Sequence, residues 1–310
     1  MRWASFPVAI FLMASPALAG PKVIASIMPV HSIAAAVMGD TGQPELLLKG
    51  RQSEHAASFT ASQLSKLGQA DLVFIVGHGL EAKLAQLSGS EAVSGKRFVE
   101  LSEAPGIKTH KVREGGAWEH GPEQNQKEAA HGHHEEGVLT FDPHIWLDPD
   151  NAKTMANAIA AELAKIDPAH TEAYAANAAR LASDIDAASR QISSEMANIR
   201  NQPFIVFHDA YQYFENRFGL WAVGSIANIS AASPSAQRLK EIRGKLSETG
   251  AVCVFREPQF DSKFVDTVIE GSSARSGVLD PLGADLEPGP GAYLRLLRNL
   301  AGSLKSCLAG

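Results

Sequence analysis

Cysteine is nearly absent: 310 residues hold only Cys253 and Cys307. Their wide spacing excludes a thiolate zinc site, which needs closely set Cys pairs. A basic excess is absent as well. Lys and Arg number 28 against 34 Asp and Glu, for a net charge of −6. No run interleaves basic with aromatic residues, so nothing is shaped to neutralise a phosphate backbone, and nucleic acid is set aside as a partner. Beyond the N-terminus there is no segment apolar enough to span a bilayer, so no stable membrane insertion is expected. Two signatures of hydrolases are missing too, the His-Glu-x-x-His helix and the Gly-x-Ser-x-Gly elbow.

What is present begins with an ordinary globular composition, 45% hydrophobic, over a length that suits about two domains. Arg2 precedes the apolar run Phe6 to Leu12, and Ala17-Leu18-Ala19 offers the small-x-small pattern of a signal peptidase site. Residues 1–19 therefore read as a signal peptide cut before Gly20, because Pro7 and Pro16 interrupt the roughly twenty apolar residues that a membrane anchor needs. Export into an oxidising compartment favours a disulfide between Cys253 and Cys307, tying the last helix to a sheet; two unpaired buried thiols are the alternative.

Apolar runs and helical patterns alternate along the chain. Val23 to Ile27 reads as a strand and Ser32 to Met38 as a helix; Glu45 to Leu48, Leu72 to Val76 and Arg97 to Leu101 continue the strands, with helices at Thr60 to Leu67 and Leu80 to Leu87. Pro149-Asp150-Asn151 caps a helix from Ala152 to Lys165, and after Asp167-Pro168 a stretch without glycine or interior proline runs from Ala169 to Arg200, long enough to form a strut between domains. Strands then return at Phe204 to Phe207, Trp221 to Ile226, Ala251 to Phe255 and Gly277 to Asp280. Helices are expected at Ala210 to Phe218, Ser235 to Thr249, Ser262 to Gly271 and Tyr293 to Leu308. This alternation predicts an α/β fold of two similar lobes, each a parallel sheet flanked by helices, with a ligand crevice at the carboxyl ends of the strands.

The stretch Lys108 to Pro149 offers imidazole in two ways. Its first part carries His110, His120, His131, His133 and His134 among Glu, Gln, Gly and Lys, too polar to bury a core but suited to collecting metal. Its end, Phe141-Asp142-Pro143-His144-Ile145-Trp146-Leu147-Asp148-Pro149, sets one His in an apolar run between Asp-Pro pairs. His55, His144 and His208 share a context at the carboxyl ends of strands or in the loops that follow, and a cleft between lobes could gather all three. Three imidazoles and a carboxylate complete a tetrahedral zinc site. Glu54 and Asp280 compete for the fourth position, against bland readings as a solvated loop acid and a turn residue before Pro281. His31, His170 and His78 read as structural, with His78 nearest the cleft, and Trp146 and Phe207 as residues that shape and dry it.

Six stretches carry a family resemblance: Ser53-Glu54-His55, Gln69-Ala70-Asp71-Leu72-Val73, Asp142 to Pro149, Phe207-His208-Asp209-Ala210-Tyr211, Glu257-Pro258-Gln259-Phe260 and Leu279-Asp280-Pro281-Leu282-Gly283. With them the chain resembles the periplasmic metal-binding proteins of ABC importers, in the group specific for zinc and manganese and nearest its zinc-uptake branch. The resemblance implies two α/β lobes joined by one long rigid helix, one Zn²⁺ in the cleft held by His55, His144 and His208, and a fourth position taken by Glu54, by Asp280 in manganese-type members, or by water. It also implies a disulfide between Cys253 and Cys307 and an accessory His-rich insertion, here a modest one, that could hold a weaker second ion. The expected organisation is a signal peptide (1–19), an N-terminal lobe (20–168) with its His-rich loop at 108–137, a linking helix (169–200) and a C-terminal lobe (201–310). The expected protein is a periplasmic monomer, not an enzyme, that hands its ion to a membrane permease. Its rivals are a manganese-type member, a periplasmic metal buffer with the loop as main site, and an exported zinc-dependent hydrolase with Glu54 as base.

Overall fold

The computed structural model describes residues 20–118, apart from 56, 57, 91, 92, 94 and 96, and residues 139–309. The expected signal peptide and His120, His131, His133 and His134 lie outside the described residues. Strands β1 (Val23–Ala25), β2 (Glu45–Leu46), β3 (Leu72–Ile75) and β4 (Arg97–Glu100) form a parallel sheet in the order β2-β1-β3-β4. Strands β5 (Phe204–Val206), β6 (Ala222–Ser225), β7 (Cys253–Arg256) and β8 (Arg275–Val278) repeat that arrangement as β6-β5-β7-β8. In each sheet the strand order reverses beside the first strand, which opens a crevice at the carboxyl ends there. Leu72, Val73, Phe74 and Ile75 are buried throughout, as expected of a strand covered by helices on both faces.

The helices are α1 (Met28–Met38), α2 (Ala61–Gln69), α3 (Ala82–Ser88), α4 (Pro149–Ile166), α5 (Thr171–Met196), α6 (Gln212–Phe218), α7 (Ala236–Thr249), α8 (Lys263–Ile269) and α9 (Ala292–Leu308). Two of them, α1 and α4, start three or four residues earlier than the sequence pattern suggests, for one reason. Pro29 and Pro149 each occupy the first turn, where a missing N–H removes no helical hydrogen bond. The cap of α4 is therefore Asp148, whose carboxylate accepts the Asp150 N–H at 2.9 Å, rather than the Pro149-Asp150-Asn151 triplet. Thr60 caps α2 through a reciprocal pair with Gln63, at 3.2 Å and 2.9 Å.

The long helix is shorter than expected, running Thr171–Met196 after a short 3₁₀ turn at Pro168–His170. It is the expected strut between the lobes, and one of its faces is packed along its length. Tyr174, Ala178, Leu181, Ile185, Ala188, Ile192 and Met196 line one buried face at three- and four-residue spacing. That face enters one continuous core with Val30, Ile33, Met155, Ile159, Leu296, Leu300 and Leu304, so α1, α4, α5 and α9 are packed under both sheets. Separate apolar clusters cover the other face of each sheet, with α2 and α3 on the first and α7 and α8 on the second. Cys253 on β7 and Cys307 on α9 form a disulfide with Cα atoms 6.2 Å apart.

Strand β8 lies two residues earlier than the expected Gly277 to Asp280. The Asp280 carboxylate accepts N–H groups from Leu282 at 3.1 Å, Gly283 at 2.9 Å and Ala284 at 2.6 Å, and so turns the chain away from the sheet. Gly277 permits this strand to lie against β7, since a Cβ there would stand 2.5 Å from the Phe255 ring.

Candidate metal centre

His144 is fixed by its immediate neighbours. Asp142 Oδ1 accepts the His144 backbone N–H at 2.9 Å and stands 2.8 Å from His144 Nδ1, which closes a tight turn around Pro143. Ile145, Trp146 and Leu147 then form a buried 3₁₀ turn that anchors the segment. The anchors come from both halves of the chain. Trp146 Nε1 donates to the Pro281 carbonyl at 2.8 Å, Tyr293 Oη donates to the Trp146 carbonyl at 2.8 Å, and Tyr213 Oη donates to the Asp142 carbonyl at 2.6 Å.

His208 follows β5, the strand beside which the second sheet reverses its order. Its Nδ1 lies 2.8 Å and 2.7 Å from the two carboxylate oxygens of Glu257, the residue directly after β7. The neighbouring Asp209 is buried and is neutralised by Arg113, whose Nε donates to it at 2.9 Å. Arg113 also pairs with Glu215 at 2.9 Å and covers the Trp118 ring at 3.7 Å. Glu54 and His55 arrive on the loop between β2 and α2. Gln63 steadies that connection by donating to the Leu47 carbonyl at 2.8 Å.

Glu54, His55, His144 and His208 thus meet between the two lobes, each offering a donor atom within 4.8 Å of the others. The three imidazole centroids are 5.1 to 5.7 Å apart, close to an equilateral triangle. Glu54 Oε1 lies 3.7 Å from His55 Nε2 and 3.9 Å from His144 Nε2, and His144 Nε2 lies 3.3 Å from His208 Nε2. Glu54 Oε1 and His55 Nε2 are buried with no hydrogen-bond partner. Unpaired polar atoms in such a place are unfavourable by a few kcal/mol unless something positive joins them. With each Nδ1 of His144 and His208 turned to a carboxylate, the two Nε2 atoms point at the same place, where a shared proton or a cation keeps their lone pairs from facing each other.

The electrostatics have the same sense. Burial pushes His55 and His144 well below the ordinary histidine value, with the neighbouring imidazoles adding to the effect, so both stay neutral. His208 is lowered by burial but raised more by Glu257 and then by Glu54 and Asp209, to about 8. Burial raises Glu54 to about 7 against the attraction of His208. In the ion-free protein a proton on His208 can bridge to His144 Nε2; a divalent cation would displace it. Three nitrogens and one oxygen in a closed, tetrahedral-sized group suit zinc.

Asp280 is not brought into this group. Its carboxylate serves its own turn and accepts a fourth bond from Gln259 Nε2 at 2.9 Å. His110 is half-buried against Tyr213, with ring centroids 4.7 Å apart and Asn216 Nδ2 at 3.3 Å, and belongs to neither metal-competent group found among the described residues. His31 is buried with Nε2 at 3.0 Å from the Pro44 carbonyl, and exposed His170 pairs with Asp167 at 2.7 Å. Asp142 and Glu257 are the residues that sequence reasoning left without a role. Both stood inside stretches that carried the family resemblance, and the requirement that a ligating imidazole anchor its second nitrogen was the available signal.

The arrangement has counterparts among known proteins. The profile of the family described as zinc-uptake complex component A, periplasmic (ZnuA), matches residues 23–307. The high-affinity zinc uptake system protein ZnuA of Brucella suis biovar 1 is 42% identical, over 94% of this chain and 93% of its own length. Its namesake from Paracoccus denitrificans is 37% identical, over 93% and 92%. Among solved structures, a ZnuA crystal structure superposes with a TM-score of 0.77 at 25% identity, covering 93% of this chain and 99% of that one. The laminin-binding protein Lmb of Streptococcus agalactiae, described as an adhesin with metal-transporting activity, superposes at 0.76 and 25% identity, covering 93% and 100%. The chain belongs to the periplasmic zinc-uptake component A (ZnuA) family.

Proposed function

We propose that this chain is a periplasmic zinc-binding protein that captures one Zn²⁺ in its cleft through His55, His144, His208 and Glu54 and delivers it to the membrane permease of an ABC-type importer. One observation carries the reading: three buried imidazole Nε2 atoms and a buried carboxylate oxygen converge on one point, and two of those four atoms have no hydrogen-bond partner. Donors from four side chains leave no open position for a metal-bound water nucleophile, which favours binding over hydrolysis. The use of Asp280 within its own turn supports a zinc site with three imidazoles over a manganese site with two carboxylates.

The wider reading places the protein as an exported monomer whose signal peptide spans residues 1–19. The family is one of periplasmic uptake components, and no helix among the described residues is long and apolar enough to cross a membrane. The His-bearing stretch acts as an accessory that concentrates zinc near the cleft. Calorimetry on the mature chain tests the central claim. One tightly bound Zn²⁺ is expected, weakened at least about 100-fold, or about 2.7 kcal/mol, in His144→Ala. Undiminished affinity in that variant overturns the assignment, and metal-dependent ester or peptide turnover abolished by Glu54→Gln revives the hydrolase.

A further inference from the structure

A second group of donors stands at the surface, outside the cleft cluster. Ile75 at the end of β3 pairs with Glu100 at the end of β4, so the turns after both strands emerge at the same edge of the sheet. One turn carries His78; the other carries Glu103 within a 3₁₀ turn at Leu101–Glu103. Glu100 Oε2 accepts the His78 backbone N–H at 3.0 Å and stands 3.0 Å from His78 Nδ1. Gly77 makes this approach possible: its φ is +151°, and a Cβ there would lie 2.9 Å from Glu100 Oε2 and 2.5 Å from Ser102 Oγ. The Glu100 carboxylate is therefore held in place before any ligand arrives.

We propose that His78, Glu100 and Glu103 form a second, weaker divalent-cation site. Each can place one donor atom within 4.8 Å of the other two. Two carboxylates at that separation repel each other. Among the described residues Glu100 pairs with His78, and no Lys or Arg stands against either acid. One imidazole nitrogen and two carboxylate oxygens, completed by water, suit Zn²⁺ and also the harder Mn²⁺. The exposure of His78 and Glu103 leaves room for those waters and for rapid exchange.

The position gives the site a use. A Cβ at Gly79 would lie 3.5 Å from Leu139 and 3.6 Å from Pro143, so the chain that leads into His144 passes beside Gly79, the residue after His78. An ion held there waits on the flank of the segment that carries a cleft donor. This role as a waiting place rests on the cleft reading above; the site itself does not.

The test uses the mature full chain with its cleft saturated by Zn²⁺, titrated with Mn²⁺ at pH 7.5 while amide signals are followed by NMR. Saturable paramagnetic broadening that is strongest at residues 77–80 and 100–103 and falls off with distance from them is expected, and His78→Ala and Glu103→Gln should each raise its apparent Kd at least tenfold. Glu103 is exposed, so its substitution keeps the test valid if His78→Ala perturbs the turn. Broadening that is absent, that never saturates, or that persists unchanged in both variants overturns the proposal. Zinc calorimetry on the same variants should show cleft affinity unchanged, which separates failure of this site from failure of the cleft.

Discussion

Asp142 and Glu257 touch no metal in the proposed site, yet each fixes the tautomer and direction of an imidazole that does. Removing such a partner typically lowers metal affinity 10- to 100-fold. Glu257→Gln and Asp142→Asn should therefore each weaken zinc binding by about that factor in competition titrations, whereas Asp280→Asn should leave it within about threefold. A larger effect at Asp280 would return that residue to the ligand set. Protons compete with zinc at His208, raised to about 8, and at Glu54, raised to about 7. Both must be lost on binding, so affinity should be level above about pH 8, fall by about one decade per unit between 8 and 7, and fall by up to two below 7. Calorimetry in buffers of different ionisation enthalpy measures the released protons directly. Glu54 also links to stability. Its folded value of about 7 exceeds the ordinary 4.5, so in the ion-free protein its contribution is lost as pH rises from 4.5 through 7. At pH 8 apo Glu54→Gln should melt higher than the apo wild type, by an amount on the order of 1–3 kcal/mol, while binding zinc less tightly.

At the scale of elements, α5 has a structural part and no metal-binding part. Ile185 is completely buried on its packed face. Ile185→Ala should remove about 2–5 kcal/mol of stability, read as a lowered denaturant midpoint, with zinc affinity at saturating folding conditions unchanged. A matching loss of affinity would mean that the helix positions the cleft more directly than its packing indicates. The disulfide joins β7 to α9, and β7 leads straight into Glu257. Cys253 to Cys307 closes 54 residues, so reduction is expected to lower stability by about 2–4 kcal/mol.

Across the whole molecule, a core shared by both lobes leaves little freedom for one to rotate on the other. Scattering profiles of ion-free and zinc-loaded protein should differ only slightly, and a large domain rotation would contradict that. The His-bearing stretch is rooted more firmly than its composition suggests. Arg113 sits between Asp209 and Glu215, the Trp118 backbone N–H donates to the Val223 carbonyl at 2.9 Å, and Ala117 bridges Gly224 at the edge of β6. Deleting from Lys108 would remove these ties and expose Asp209 beside His208. Deleting 119–138 instead spares them, and such a variant should still bind one zinc tightly while taking up fewer weakly held ions at equilibrium dialysis. Loss of the tight ion in that deletion would make the stretch part of the main site.

The sequence by itself determined the strand and helix order, because buried parallel strands and amphipathic helices write their periods locally; of the three histidines only His208 stands just after a strand in the fold. The helix starts at Met28 and Pro149 lie ahead of the residues that carry the helical pattern, because proline is harmless in a first turn, where its missing N–H breaks no helical hydrogen bond. Only the tertiary structure shows which acid stands beside the three imidazoles: Glu54 does and Asp280 does not. Both are acids in loops, and the difference lies in which backbone N–H groups happen to surround each: Asp280 finds three in its own turn and Glu54 Oε1 finds no partner. The same holds for Asp142 and Glu257, whose value comes from standing within 3 Å of an imidazole, across 49 residues of sequence in the case of Glu257. Patterns along a chain fix elements, but the pairing of one buried polar atom with another is set by the packing that brings them together.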